Sequence, residues 1–540
     1  MLSSRGLISA VALSAISVAF LWLTNIPLGI PGEWTWDRIA PADAAGATEF
    51  VLGAAQAAIA GVVYILVAWQ GSKRIATCSR VELAGWLVGI VGIGFGWLLA
   101  VQEAPPSGWR MSKAAFVLYY PGSSGYFQEA RYDMPDSAEF LRGYEDLMAE
   151  GDVLHVGTHP PGLFLLYRGL IQELEQRPAL AQFIENTAPA SVTEAFGVID
   201  GNLMQSGKEL TSSDRASLWL VTVLTQACCV LAVIPIFLLI RQTCSRESSW
   251  RAAVFWPLLP ALAIFIPKSD VLFVLPAALL TWTWLSAATR QSFFIGVIAG
   301  AIGWAGLFCS LAFLPIGLIA LVASLLLSVE FLKSGQQTGA DDDSDGAGNE
   351  VTLQNVVRQM AMPVSLWKPL LGGILAVVGL TFAVSHFCEL NLLNVWFHNY
   401  HNHAEFYAQY SRTMWKWWLV NPLELIFAAG VPVVFLAATS ASRLFRSRGD
   451  ALQQPMLLSF LAIWALLWLS GKNSGEAARL WIPLLPVLLV VSASSLWKTP
   501  ESTDAVSDDN PNSERSWLVL LSCQAVVCAA TVLRVSGFHY

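Results

Sequence analysis

The 540-residue chain carries little charge: 31 Lys and Arg against 39 Asp and Glu, 13% of the sequence, for a net charge of −8. A soluble domain carries about 25% charged residues, so an ordinary globular enzyme is excluded, as are disordered and fibrous chains. The small acidic excess has the wrong sign for a nucleic-acid partner, which requires a basic footprint. Cysteine is also sparse. Of eight, Cys228, Cys229, Cys244, Cys309, Cys523 and Cys528 lie in or beside apolar runs and read as small core hydrophobes, not as a disulfide framework. What is abundant is apolar surface, 55% of residues with a mean hydropathy of +0.55. The chain reads as an all-α polytopic membrane protein.

A bilayer crossing takes about 20 apolar residues. Runs near that length fall at 7–29, 50–69, 83–101, 217–240, 252–267, 271–288, 292–309, 311–329, 369–387, 419–440, 455–471, 481–497 and 517–533, which predicts about 13 transmembrane helices. The first run is too long, and Ala42-Asp43-Ala44 too distant, for a cleaved signal peptide. With the amino terminus inside, the short inner connections hold 16 Lys and Arg, and the outer ones seven when the long 102–216 segment is left aside. That asymmetry satisfies the positive-inside rule, and many of the 23 Trp mark an interfacial belt at span ends. The chain divides into two amino-terminal spans (1–82), a membrane core with the outer segment 102–216 (83–332), an acidic inner linker (333–368), and carboxy-terminal spans (369–540) with outer loops 388–418 and 471–480. The linker contains DDDSDGAGNE, Asp341 to Glu350, a solvated composition without metal-ligand spacing. The glycines of GWLVGIVGIGFG, Gly85 to Gly96, lie inside a span and predict close helix packing.

All seven histidines fall outside or at the outer membrane edge in this topology. The outer segment 102–216 carries two amphipathic stretches. Asp136 and Glu139 have capping-box spacing ahead of Phe140, Leu141, Tyr144, Leu147 and Met148, and Leu163 to Leu174 is too short to cross the bilayer. Two in-plane helices roofing an outer site are expected. Around them Glu129, Asp133 and Asp136 stand near Arg131, His155 and His159, with Pro160-Pro161 fixing the backbone after His159. Such a set suits transfer from a phosphate leaving group, in which a carboxylate takes a proton from an incoming hydroxyl and cations stabilise the phosphate. Solvated loop charge is the bland account of the same residues.

The stretches Gln128-Glu129-Ala130-Arg131-Tyr132, Thr158-His159-Pro160-Pro161-Gly162, KSDVLFVLPAALL from Lys268 and EAARLWIPLLPVLLV from Glu476 together resemble the GT-C superfamily of membrane glycosyltransferases. The likeness is to its protein-mannosyltransferase and aminoarabinose-transferase branch, over residues 85–290 and 470–492. The resemblance implies an inverting transfer of a hexosyl or pentosyl sugar from a polyprenyl-phosphate carrier to a glycan, lipid or protein acceptor at the extracytoplasmic face of a bacterial inner membrane. It implies Glu129 or Asp133 as base, Arg131 and His159 on the carrier phosphate with Arg479 opposite, and Asp136, His155, Lys268, Asp270 and Glu476 around the substrate. A divalent cation is compatible with the sequence but not required by it. The position of the family's catalytic Asp is Gln128, which cannot act as a carboxylate; Glu33 and Asp37 are reserve acids.

Three further features stay open. His398, His401 and His403 do not share a helical face, so a metal is less expected there than an aromatic-polar surface for acceptor or sugar. Glu424 lies just within the tenth span, where an acid is costly. A flippase for a lipid-linked saccharide and a catalytically lost binding protein are the competing readings. The flippase predicts acids and breaks within spans and paired halves, although no internal repeat is present.

Overall fold

The computed structural model describes residues 3–41, 43–134, 136–205, 207, 209–339, 366–446, 453–496 and 511–538. The acidic stretch at 341–350 lies outside them. Long apolar segments dominate: α1 (Ser4–Leu23), α2 (Ala44–Arg74), α3 (Arg80–Gln102), α4 (Ser112–Tyr119), α5 (Gly162–Gln176), α6 (Ser212–Ile240), α7 (Arg246–Phe265) and α8 (Ser269–Arg290). There follow α9 (Phe293–Leu307), α10 (Phe313–Gly339), α11 (Trp367–Cys388), α12 (Leu392–Gln409), α13 (Met414–Ala429) and α14 (Val431–Arg446). The last are α15 (Gln453–Leu469), α16 (Ala477–Leu480), α17 (Pro486–Ser492) and α18 (Pro511–Arg534). The described strands form one small antiparallel sheet, β1 (Leu28–Ile30), β2 (Trp34–Arg38) and β3 (Val535–Ser536), in that order.

Among the described residues, eight helices are long and apolar enough to cross a membrane, and α13 with α14 makes a ninth if that bent pair is one span. Four shorter apolar helices, Phe293–Leu307, Phe313–Ser328, Gln453–Leu469 and Ile482–Ser492, account for the remaining apolar runs. Each of the thirteen expected runs therefore lies on helix. α10 continues to Gly339, into the first residues of the expected linker.

The tenth run is not straight. It bends by 110° between α13 and α14. Gly430 adopts φ +86, and Pro432 has no N–H for the ladder, so the backbone leaves the helical path there. Gln524 of α18 closes the gap by donating from Nε2 to the carbonyls of Ala429 at 2.9 Å and Leu258 at 3.0 Å. Backbone groups freed inside a bilayer need such a partner. The two halves of the pair have different neighbours: α13 meets β1 and α16, and α14 meets α17.

Glycine packing falls elsewhere than expected. A Cβ at Gly85, Gly89, Gly92 or Gly96 would meet nothing within 4 Å, and within that run Gly94 alone packs, on Pro257. The close approach is between α9 and α11, where a Cβ on Gly296 would lie 2.3 Å from the Pro369 carbonyl and one on Gly372 2.3 Å from that of Phe293. Small residues there let two backbones meet.

Connections gather at two ends. At one, Arg251 donates to Ser72 Oγ at 3.1 Å, Arg246 to the Cys78 carbonyl at 2.8 Å, and Lys73 lies 3.8 Å from Glu514. At the other, the β1–β2 hairpin, the 102–216 segment, the α7–α8 and α9–α10 turns, α12, the α15–α16 loop and the chain after β3 meet around one cavity. With the 102–216 segment left aside, these are the connections that carry the fewer basic residues.

Candidate active site

The roof forms from the two polar stretches of the sequence. Asp136 Oδ1 accepts from the N–H groups of Ala138 and Glu139, both at 2.9 Å, and starts a helix at Ser137 that breaks at Gly143 and resumes as Tyr144–Ala149. This pair buries Phe140, Leu141, Tyr144 and Met148. In α5, Leu163, Phe164, Tyr167, Ile171 and Leu174 are buried, so that helix lies against protein along one face. Between them Asp152 folds the 152–159 turn by accepting N–H groups of Leu154, His155, Val156 and Gly157. The Tyr144 hydroxyl donates to the His159 carbonyl at 2.6 Å. Gly162 N–H donates to Phe308 at 2.9 Å, where a Cβ would collide with the α9–α10 turn.

The second wall is α12, which the sequence showed only as a histidine-rich outer loop. Its Asn399 and Asn402, one turn apart and buried, donate to the carbonyls of Gly157 and Met148, and Glu145 accepts from Asn391 N–H and Asn394 Nδ2. The β1–β2 hairpin locks the far end. Glu33 accepts from Thr413 N–H at 2.9 Å, Thr413 Oγ1 at 2.5 Å and Trp417 Nε1 at 2.7 Å, and Arg412 donates to its carbonyl. Burial raises the Glu33 pKa, but these bonds outweigh it and hold the carboxyl below its ordinary value. Glu33, a reserve acid, is thus a tie between loops. Asp37 sits in β2, paired with Ser536 in register.

The cavity measures about 550 Å³. Its polar lining combines His155 and His159, Lys268 and Asp270 at the start of α8, and Glu476 and Arg479 at α16. Arg479 is the hinge of this set, 3.3 Å by Nε from Asp270 Oδ2 and 2.8 Å by Nη2 from Glu476 Oε2. Lys268 donates to the Ser123 carbonyl. Burial, together with the Arg479 charge, pushes Lys268 below the ordinary lysine range against the pull of Glu476 and Asp270. His159 Nδ1 lies 3.1 Å from the His155 carbonyl and 3.0 Å from Thr158 Oγ1, so this ring nitrogen is held by two neighbours while Nε2 has no protein partner among the described residues. Burial and the neighbouring cations push its pKa down to about 4, and His155 likewise falls well below its ordinary value. At neutral pH both rings are uncharged hydrogen-bonding groups.

The structure separates the sequence candidates. His155, His159, Lys268, Asp270, Glu476 and Arg479 line the cavity, whereas Glu129, Asp133, Arg131 and Asp136 are not in its lining. Asp136 is occupied as a helix cap. Asp133 is exposed. Arg131, the expected phosphate cation, is paired with Glu175 at 2.7 Å and Asp214 at 2.8 Å. Glu129 is half-buried, and burial with Asp133, Glu150 and Asp152 nearby pushes its pKa up to about 7. The side chain of Gln128 donates to the Tyr119 carbonyl at 3.0 Å, away from the cavity.

Tyr126, Asn399, Tyr400, His403, Tyr407, Lys472 and Asn473 complete the polar wall. Asn399, Tyr400, His403 and Tyr407 belong to the stretch expected to form an aromatic-polar surface, whereas Tyr126, Lys472 and Asn473 fall in polar outer segments without having been assigned a role individually. Among the described residues, no group of three or more His, Cys, Asp or Glu is placed to hold a metal. Both cavity carboxylates are engaged by Arg479, a poor fit to an oxygen-rich divalent site. His398, His401 and His403 sit on α12, where His403 alone lines the cavity.

No protein-family model matches the chain, and no curated protein matches it. Among solved structures it is similar to the oligosaccharyltransferase of Archaeoglobus fulgidus, crystallised in complex with Zn and sulfate, at 14% sequence identity and a TM-score of 0.34. The alignment covers 79% of this chain and 53% of that one, so this chain spans about half the length of that structure. So loose an overlap assigns no residue a role.

Proposed function

We propose that the chain is a glycosyltransferase that moves a sugar from a polyprenyl-phosphate carrier to an acceptor hydroxyl at the extracytoplasmic face of a bacterial inner membrane. The observation that carries this reading is the convergence of Lys268, Asp270, Arg479 and His159 from three separate parts of the sequence at one end of the helix bundle. Basic Lys268 and Arg479 beside the carboxylates of Asp270 and Glu476 suit transfer from a membrane-anchored phosphate. The basic residues of the opposite connections support a reading in which that end faces away from the cytoplasm.

Asp270 is the base in this account. It takes the proton of the acceptor hydroxyl as the oxygen attacks the anomeric carbon from the face opposite the phosphate. A C–O bond forms, the bond from that carbon to the phosphate oxygen breaks with its electron pair, and the carrier phosphate departs. Its growing charge is met by Lys268 and by the guanidinium of Arg479, groups already fixed before the reaction. Neutral His159 hydrogen-bonds a substrate hydroxyl. Glu129 and Asp133 stand aside from this chemistry because they lie outside the cavity lining.

The test is turnover of a labelled polyprenyl-phosphate sugar by the protein in vesicles. Slow hydrolysis without acceptor is expected from the wild type, and a drop of about 10²-fold or more in Asp270→Asn. A flippase is the second reading, favoured by the 110° bend of α13–α14 and by Glu424, buried in α13 with no hydrogen-bond partner for either oxygen among the described residues. It predicts movement of a fluorescent lipid-linked saccharide between leaflets without bond cleavage.

A further inference from the structure

The cavity lining contains two chemically different groups of residues, and the second is not needed to hold a phosphate. One face of α12 presents Tyr400, His403, Phe406 and Tyr407 to it, residues spaced i, i+3, i+6 and i+7 and so stacked along a single side of the helix. The rings are held in place. Tyr407 accepts the Asn473 N–H at 2.6 Å through its hydroxyl, His403 stands edge-on to it with centroids 5.6 Å apart, and Lys472 Nζ lies 3.6 Å from the centre of Tyr400. Tyr400 keeps 57% of its surface accessible. Burial and Lys472 hold His403 below the usual histidine range, so this imidazole too is neutral at pH 7.

We propose that this wall is the acceptor subsite and that the acceptor is a carbohydrate, not an amino-acid side chain. The inference rests on the transferase reading above. Aromatic rings beside hydrogen-bonding groups, the His403 imidazole and the Lys472 ammonium, match a pyranose, which offers an apolar C–H face and a rim of hydroxyls. A peptide would bring backbone N–H and C=O groups that need their own partners. The 550 Å³ volume falls within the range of small-ligand pockets, leaving room beside a donor head group.

The experiment uses the full-length protein in vesicles with a labelled polyprenyl-phosphate hexose, in three arms: no acceptor, a mixture of methyl hexopyranosides and pentopyranosides, and a Ser/Thr-containing peptide. Hydrolysis in the first arm reports the transferase reading by itself; its absence in the wild type refutes that reading and the acceptor assignment with it. Given hydrolysis, a labelled disaccharide glycoside is expected in the second arm and no product in the third. Tyr400→Leu and Tyr407→Leu are expected to lower the ratio of transfer to hydrolysis about tenfold, while Tyr407→Phe, which keeps the ring face, recovers most of it. Peptide glycosylation, the absence of any glycoside product, or an unchanged ratio in both leucine variants would overturn the assignment.

Discussion

Arg479 holds Asp270 and Glu476 at once, with its Nε 3.3 Å from Asp270 Oδ2 and its Nη2 2.8 Å from Glu476 Oε2. All three side chains keep 20% or less of their surface accessible. Removing one member of such a buried set leaves the others uncompensated, at a cost of about 3–5 kcal/mol. Arg479→Gln is therefore expected to lower the melting temperature of the detergent-solubilised protein by several degrees. Arg479→Lys keeps the charge but loses the two-sided fork, and it should fall between. Equal melting of all three proteins would show that the ion pairs do not bind α16 to α8.

The tie between the amino-terminal hairpin and the second outer loop is a separate test. Glu33 accepts three hydrogen bonds from Thr413 and Trp417. Bonds to a charged group contribute about 1.5–3 kcal/mol each, and Glu33→Ala should destabilise by about 2 kcal/mol after the chain relaxes. Because the folded-state pKa of Glu33 is depressed, its stabilisation is present above the ordinary carboxyl pKa and fades as pH falls through the folded value. The difference between wild type and Glu33→Ala should shrink on acidification, as read from melting curves between pH 7 and pH 3.

Glu129 is expected to behave in the opposite sense. Its folded-state pKa is raised to about 7 from an ordinary 4.5, so its contribution favours the fold fully below 4.5 and is lost as pH rises through about 7. Glu129→Gln should be nearly neutral at pH 4.5 and stabilising by roughly 1–2 kcal/mol at pH 8, a figure reduced for its partial exposure. A variant less stable than wild type at pH 8 would contradict this.

Much of the architecture was legible because a bilayer imposes a length rule that apolar runs obey. All thirteen runs lie on helices. The bend at Gly430 was not read, since the residues on both sides are apolar and hydropathy averages over a break; Gly430 and Pro432 together were the available sign. The site was half legible. Lys268, Asp270, His159 and Arg479 stood out as polar residues at the mouths of apolar runs. Glu129 and Arg131 stood out as a motif, but Arg131 spends its charge on Asp214 and Glu175, two carboxylates 83 and 44 residues along the chain whose approach depends on the packing of α5 and α6. Asn399 and Asn402 were hidden among the histidines of the same stretch, because only the helical register of α12 reveals which side chains face inward.

The bent span gives a structural prediction. A Cβ on Gly430 would sit 2.2 Å from Gln524 Nε2, at a φ of +86 that side chains rarely adopt. Gly430→Ala should cost about 2–4 kcal/mol through backbone strain and the displaced amide. Gln524→Leu should cost a comparable amount by leaving the Ala429 and Leu258 carbonyls unpaired. The double variant should cost less than the sum, since both changes disrupt one contact. Strict additivity in melting measurements would contradict the coupling.

The central claim is that transfer chemistry is carried by the cavity acid Asp270 and not by the acid of the loop motif. The direct measurement compares turnover of a labelled polyprenyl-phosphate sugar by wild type, Asp270→Asn and Glu129→Gln in vesicles, with folding checked by gel filtration. The account predicts that Asp270→Asn loses about 10²-fold or more and that Glu129→Gln stays at least about tenfold above it. Loss of turnover in Glu129→Gln with Asp270→Asn near wild type would contradict it.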